Sequence, residues 1–409
     1  MNAAEAISDT HRSKWLVLTV TSVSALLAYI HVFMYPPLIP SFISELGLTY
    51  AEASLLIVSF GLAYTCSGVV WGHIINRYGL RWILFAGLLC ISVPQFVISL
   101  LPPYHIMVGL RFILGLGVAN IRVTGISYLH SWFPSSEVSR AIGIFNASVL
   151  VGMSIALGTP PILQIYFGWL FPFMFFSVIS LFFIIVFVAA TQRIPMPRQY
   201  GFEKKSEVEP KEPSESDESV YRNPAVWILG LVAFTLYFAV YAALSWIPSY
   251  IYEVGNLSEF ESSIVLPFLT LVGIPASLVG GFLADRTRKR VAVMAIGLGI
   301  NVSILILAGP PITNLVYLLG TLMVIGWGSN MSFGPCFTIP KDITSPGNVN
   351  KALGIVSTFA FSSAIIAPYI GGFLRDLTGS YAPLFVLTAA ISVAGVIASL
   401  ILKKFSRLD

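Results

Sequence analysis

Acidic side chains are missing from the interior of every long apolar run in this chain. All 19 aspartates and glutamates fall in loops, at the termini or at run ends. A transport cycle that titrates a buried carboxylate therefore lacks its usual carrier. Cysteine is equally scarce: Cys66, Cys90 and Cys336 all lie inside apolar runs, none at metal-ligand spacing. A disulfide framework or zinc site is not expected, and small packing side chains are the plain reading. Charge of either sign is thin, 10% of 409 residues against 56% hydrophobic, which is not the composition of a water-soluble domain. No Ser-His-Asp set, His-Glu-x-x-His motif or aspartate pair is embedded in the runs, so neither an enzyme nor a cofactor site is expected.

What is present in quantity is apolar sequence of spanning length. Twelve runs, at about 15–38, 51–75, 81–101, 106–130, 139–162, 168–190, 224–250, 261–284, 290–310, 315–336, 352–374 and 381–402, predict an all-α membrane protein of twelve transmembrane helices. Residues 1–14 are polar and lead into a run too long for a signal peptide, so the first span is expected to stay. Residues 192–222, rich in Glu, Lys, Ser and Pro, predict a linker between a first bundle at 15–191 and a second at 223–402, with a short tail at 403–409.

With the N-terminus inside, 20 of the 23 lysines and arginines fall in cytoplasmic segments. That asymmetry predicts both termini in the cytoplasm of a multi-pass protein of the plasma or inner membrane. Arg375 alone falls in an outer loop, and Arg111 and Arg122 lie inside the fourth run. Each of those two costs about 2.5–3.5 kcal/mol at a helix centre. Eleven residues separate them, nearly three turns, so they share a face yet differ in height by about 16 Å. One small anion cannot touch both. Arg111 is near enough to the outer end to snorkel. Arg122 is too deep for that, and it is the favoured anion ligand, as a planar bidentate donor. The competing reading for Arg122 is a bond to exposed carbonyls of a neighbouring helix.

The two halves are copies. Ile39-Pro40-Ser41-Phe42-Ile43-Ser44-Glu45-Leu46-Gly47 returns as Ile247-Pro248-Ser249-Tyr250-Ile251-Tyr252-Glu253-Val254-Gly255, Glu52-Ala-Ser54 as Glu261-Ser-Ser263, and Arg140-Ala-Ile-Gly143-Ile as Lys351-Ala-Leu-Gly354-Ile. Equivalent stretches keep the same in-out sense, which makes this a parallel repeat about an axis along the membrane normal, with a site expected at the midplane.

Gly72-His-Ile-Ile-Asn76-Arg77-Tyr-Gly79-Leu80-Arg81, repeated as Gly281-Phe-Leu-Ala-Asp285-Arg286-Thr-Arg288-Lys289-Arg290, resembles the signature loop of the major facilitator superfamily. Arg111-x-x-x-Gly115-x-Gly117 is similar to its helix 4 motif, which implies for Arg111 either a place at the substrate site or, as often, a structural or conformational role, and Pro368-Tyr-Ile-Gly371-Gly372 is a familiar helix 11 pattern. The resemblance implies the superfamily's twelve-helix fold and an inner latch formed by the two loops, in which glycine permits close approach and the charged positions bond to helix ends. Asn76 stands where the family has aspartate, so the first latch is weaker in charge than the second. Two readings stand for the arginines, Arg81 and Arg288 among them: gating, or simple positive-inside charge.

The resemblance also places helices 1, 4, 7 and 10 around a central cavity. Helix 1 supplies Tyr29 and His31, helix 7 supplies Tyr237 and Tyr241, and helix 10 supplies Trp327 and Asn330. Aromatics with polar tips suit a small organic ion, though each can also pack against lipid. His31 is the buried group able to titrate near neutral pH, which makes H+ a candidate coupling ion; hydrogen-bonded scaffolding is the commoner fate of such a histidine. Gly326-x-Gly328 and Gly334-Pro335 predict a bend in helix 10. The expected function is alternating-access transport of a small anion, an organic carboxylate first, by a monomer. The alternatives are a multidrug or neutral-solute exporter and a non-transporting membrane sensor. Nucleic acid is not an expected partner.

Overall fold

The computed structural model describes residues 3–134, 137–192, 220–254, 257–312, 314–345 and 348–406. The described residues are helical nearly throughout, as a bilayer demands, because a helix satisfies its backbone polar groups within one segment. We number the membrane helices α1 Ser13–Leu46, α2 Tyr50–Tyr78, α3 Leu80–Ile98, α4 Tyr104–Trp132, α5 Arg140–Phe167, α6 Phe171–Gln192, α7 Pro224–Glu253, α8 Ser263–Thr287, α9 Arg290–Ala308, α10 Leu315–Ile343, α11 Lys351–Thr378 and α12 Ala382–Lys404. All but α2 meet length and hydropathy criteria for crossing a membrane among the described residues. The 29 residues of α2 are long enough by geometry, at about 1.5 Å each. Two ends depart from the sequence reading. The helix containing α1 reaches back to Ala3, through the segment read as a polar terminus, and that of α12 runs on to Ser406. Residues 193–219 of the expected linker lie outside the described residues.

Buried hydroxyls fold back on their own helices: Thr21 and Ser92 donate to Val17 and Leu88 carbonyls at 2.8 Å, and Thr388 to Leu384 at 2.8 Å. Each of these three donors is thereby paired within its own helix.

The repeated Glu52 and Glu261 turn out to be reciprocal caps. Glu52 accepts from the Thr49 amide at 2.8 Å while the Thr49 hydroxyl accepts from the Glu52 amide at 3.1 Å; Glu261 and Ser258 repeat this at 2.9 and 3.2 Å. Each box supplies partners for two amides that a helix start leaves orphaned.

The halves differ in continuity. Among α2 to α6 every helix is unbroken, and α1 breaks only at Met34, where Pro36 and Pro37 restart it as Tyr35–Leu46. In the second half the helical segment containing α8 divides into Glu259–Val265, Phe268–Leu271 and Gly273–Thr287, α9 tightens to a 3-10 turn over Val302–Ala308, and α10 divides at Ser332 and again at Ile339. The expected bend in α10 thus falls beside Gly334-Pro335. Gly326 and Gly328 do something else. A side chain on either would strike the next helix, at the Leu269 carbonyl or the Asn301 side chain, so they permit close packing rather than bending.

The same logic explains the glycines of α4. A Cβ at Gly115 would stand 2.5 Å from the Phe60 carbonyl on α2, and one at Gly117 would stand 2.8 Å from the Gly87 carbonyl on α3. These two residues let α4 lie wedged between its neighbours. That position decides where its two arginines point.

Candidate central cavity

Arg122 and Arg111 leave the same helix and reach different surroundings. Arg122 is partly exposed and lines a cavity of about 460 Å³ between the halves. Its Nη1 donates to the Tyr29 hydroxyl of α1 at 3.3 Å. Among the described residues lining this cavity, Arg122 is the one charged side chain. Tyr64 of α2 places its hydroxyl beside that of Tyr29. Across the space stand Tyr237 and Tyr241 of α7, ring centroids 6.3 Å apart, and Asn330 of α10, whose amide donates to the Gly326 carbonyl at 2.9 Å.

Three residues expected at this cavity lie elsewhere. Arg111 does not snorkel: it is 0% exposed, with Nε donating to the Leu56 carbonyl at 2.7 Å and Nη1 to the His31 carbonyl at 3.3 Å. Its guanidinium carbon lies 3.8 Å from the Tyr35 ring centroid, a cation-π contact. The cation is therefore used inside the first bundle, joining α1, α2 and α4. His31 is also fully buried, and its Nε2 is 2.7 Å from the Ser180 hydroxyl of α6. Trp327 points away from the cavity and packs with Leu283 and Ile300 around Ala284, Val293 and Met331. The helical periodicity that put these side chains on plausible helices did not fix the face that the neighbours would cover.

The second half contributes an aromatic wall that the sequence reading missed. Tyr237 lies 5.1 Å from Phe333, 5.6 Å from Phe361 and 6.2 Å from Phe337, centroid to centroid. Phe361 sits on α11 and also meets Tyr64 of the first half edge-on at 5.3 Å. Neither α2 nor α11 is among the four helices that the family resemblance places around the cavity. The visible signal was Phe60 and Tyr64 one turn apart on α2, with centroids 5.7 Å apart.

At the end of the bundle holding the α1–α2, α7–α8 and α11–α12 connections, polar side chains join the halves. Glu253 accepts from Arg375 at 3.0 Å, from the Tyr50 hydroxyl at 2.9 Å and from the Tyr381 hydroxyl at 2.9 Å. Asp376 accepts from the Tyr50 and Ala51 amides at 2.8 and 2.7 Å, seating a carboxylate of α11 on the N-terminus of α2. Inward from there, α2 and α11 stay in contact through Gly372 against the Tyr50 carbonyl and Gly61 against Ala364. On the opposite seam, Ser154 of α5 meets Thr270 of α8 at 2.7 Å, and Gly158 lies against the Ser263 carbonyl. Both seams are closed between that end and the cavity.

The signature loops lie at the other end. The surroundings of Gly72 and the side chains of Asn76 and Arg77 are outside what is described. Gly79 has a φ of 78° at the start of α3, a conformation only glycine adopts freely, and Arg81 rests over its neighbour Trp82 at 5.4 Å. In the second copy, Arg290 pairs with Asp285 at 3.7 Å and with Asp342 of α10, linking α8, α9 and α10 within one half. Arg286 lies over Phe282 at 5.7 Å. The space beside Gly281 is open; the close approach falls one residue earlier, where Gly280 meets the Met331 carbonyl.

A sequence profile of the Major Facilitator Superfamily matches residues 21–322 and 277–407. The chain is 23% identical over 380 residues to a probable L-galactonate transporter of Escherichia coli K12, covering 88% of this chain and 82% of that protein. It is 22% identical over 426 residues to a probable sulfoacetate transporter of Cupriavidus necator, covering 97% and 96%. Among solved structures, it superposes with a TM-score of 0.82 on a bacterial homologue of the human lysosomal transporter Spinster in an inward-facing, unoccupied conformation. That match has 15% identity and covers 97% of this chain and 98% of the other.

Proposed function

This chain belongs to the Major Facilitator Superfamily, and from that premise we propose that it carries a small anion across the membrane by alternating access, with Arg122 binding the negative charge. The observation that carries the reading is a guanidinium facing a cavity between the halves, with no acidic residue among the described lining. A cation at that depth is costly, and its one hydrogen-bond partner in the cavity, the Tyr29 hydroxyl, is neutral. A carboxylate or other oxyanion supplies the missing charge and accepts two parallel N–H bonds. The names of the relatives, transporters of a sugar acid and of a sulfonated acid, point the same way.

We take both termini to lie in the cytoplasm of the cell's plasma or inner membrane, a reading that the asymmetric distribution of lysines and arginines supports. On that orientation the Glu253–Arg375–Asp376 end faces outward, and the conformation is closed to the outside. His31 is tied to Ser180 within the first bundle, so we assign the cycle to exchange or uniport, or to a proton that travels on the anion, with the monomer as the working unit.

Uptake of labelled carboxylates into proteoliposomes tests the proposal. Arg122→Ala abolishes uptake, and Arg122→Lys retains charge without the bidentate fork and recovers a fraction of it. Wild-type uptake by both variants would remove Arg122 from the mechanism.

A further inference from the structure

The polar inventory of the cavity also restricts which anion fits it. Four of its small polar side chains already donate within the protein. Ser329 donates to Asn301 at 3.1 Å, Ser277 to the Ile274 carbonyl at 3.0 Å, Asn330 to the Gly326 carbonyl at 2.9 Å and Thr270 to the Pro267 carbonyl at 3.0 Å. The donors that remain for a ligand are Arg122, Asn146, the second N–H of Asn330 and the tyrosine hydroxyls, whose rings have apolar faces; the serine and threonine oxygens can still accept. The rest of the lining is Phe, Leu, Val, Met and Ala side chains with two glycines. Positive charge comes from the first half alone, at Arg122 of α4. The aromatic wall of Tyr237, Phe333 and Phe361 comes from the second half.

We propose that the preferred substrate is a monocarboxylate with an apolar, planar body, its carboxylate held by Arg122 and its body lodged against Tyr237, Phe333 and Phe361. This rests on the anion reading above and narrows it. A polyhydroxylated acid carries a hydroxyl on nearly every carbon, and each one turned to the faces of Tyr237, Phe333 and Phe361 without a partner costs about tenfold or more in affinity. A second carboxylate meets no second cation, since Arg111 is enclosed among α1, α2 and α4. A flat apolar body instead replaces water on ring faces that hydrogen-bond it poorly. The volume of about 460 Å³ lies in the range of small-ligand pockets. Because the charge is gripped by one half and the body by the other, such a ligand bridges the two units that must rock together. Its binding favours the occluded state over either open one.

Full-length protein in detergent, titrated by thermal shift, gives the test, with competition against counterflow in proteoliposomes as a second readout. The probes are phenylacetate, its neutral isostere phenylacetamide, propionate and galacturonate. The expected order is phenylacetate first, then propionate, with galacturonate at least about tenfold weaker than phenylacetate and phenylacetamide inactive. Phe333→Ala weakens phenylacetate by about tenfold and propionate by less; Phe361→Ala serves as the second variant if Phe333→Ala does not fold. Galacturonate binding as tightly as phenylacetate, or both alanine variants leaving phenylacetate unaffected, overturns the substrate class while leaving the Arg122 reading intact. Equal binding of phenylacetate and phenylacetamide, or equal binding of phenylacetate by wild type and Arg122→Gln, overturns the anion reading itself.

Discussion

Arg111 and Arg122 are the same residue type on one face of one helix, and the protein uses them for opposite ends. Arg111 is enclosed: two carbonyls accept from Nε and Nη1 and an aromatic face covers the guanidinium, supplied by α1 and α2 where Gly115 lets α2 press against α4, while Nη2 is buried without a partner. Arg122 is surrounded by less than it needs, a single tyrosine hydroxyl and an open space. The difference teaches that charge in a membrane helix signals function where the fold leaves it facing an open space. A cation shut in among carbonyls and rings is structure, even with one N–H left unpaired.

The comparison is open to breakage at several points. Arg111→Ala has the largest expected effect: it leaves a hole among three helices and is expected to cost about 2–5 kcal/mol. It would be read as a large fall in melting temperature, with phenylacetate affinity retained in the protein that folds. Arg122→Ala should do the reverse, with melting nearly unchanged and anion affinity falling by about tenfold to a hundredfold, the worth of a lost charge-assisted hydrogen bond. Equal melting losses in the two variants would erase the distinction. Gly115→Ala drives a methyl into the Phe60 carbonyl and should cost about 1–3 kcal/mol by overpacking, a smaller melting shift than that of Arg111→Ala. Smallest is Tyr29→Phe, which removes the one hydroxyl hydrogen-bonded to Arg122 and should change anion affinity only about two- to tenfold. A loss as large as that of Arg122→Ala would make Tyr29 a principal ligand instead.

Which parts were readable in the sequence follows from the range of the physics. Helix number and the repeat depend on run length and on signals a few residues wide. Thr49 with Glu52 and Ser258 with Glu261 are three residues apart, and their pairing is written in the chain. The fate of Arg111 depends on Leu56 and His31, 55 and 80 residues away, and on a helix crossing that no local pattern specifies. Likewise Glu253 and Arg375, 122 residues apart, show as unrelated loop charges until α7 and α11 are brought together. Arg122 stands out in the sequence because its position in the run is enough to rule out snorkelling. The surroundings of Arg111 do not show there, because nearness to an end does not tell whether a side chain turns toward water or toward its neighbours.

The N-terminus of α2 has a further consequence. Of its first amides, Thr49 and Glu52 are satisfied by their own segment, while Tyr50 and Ala51 borrow the carboxylate of Asp376 from the other half. When the halves part, the borrowed pair passes to solvent at an exposed edge, and the self-supplied pair keeps the first turn wound. The mouth can thus unlatch by undocking a finished helix, with no segment having to melt and refold on each turnover.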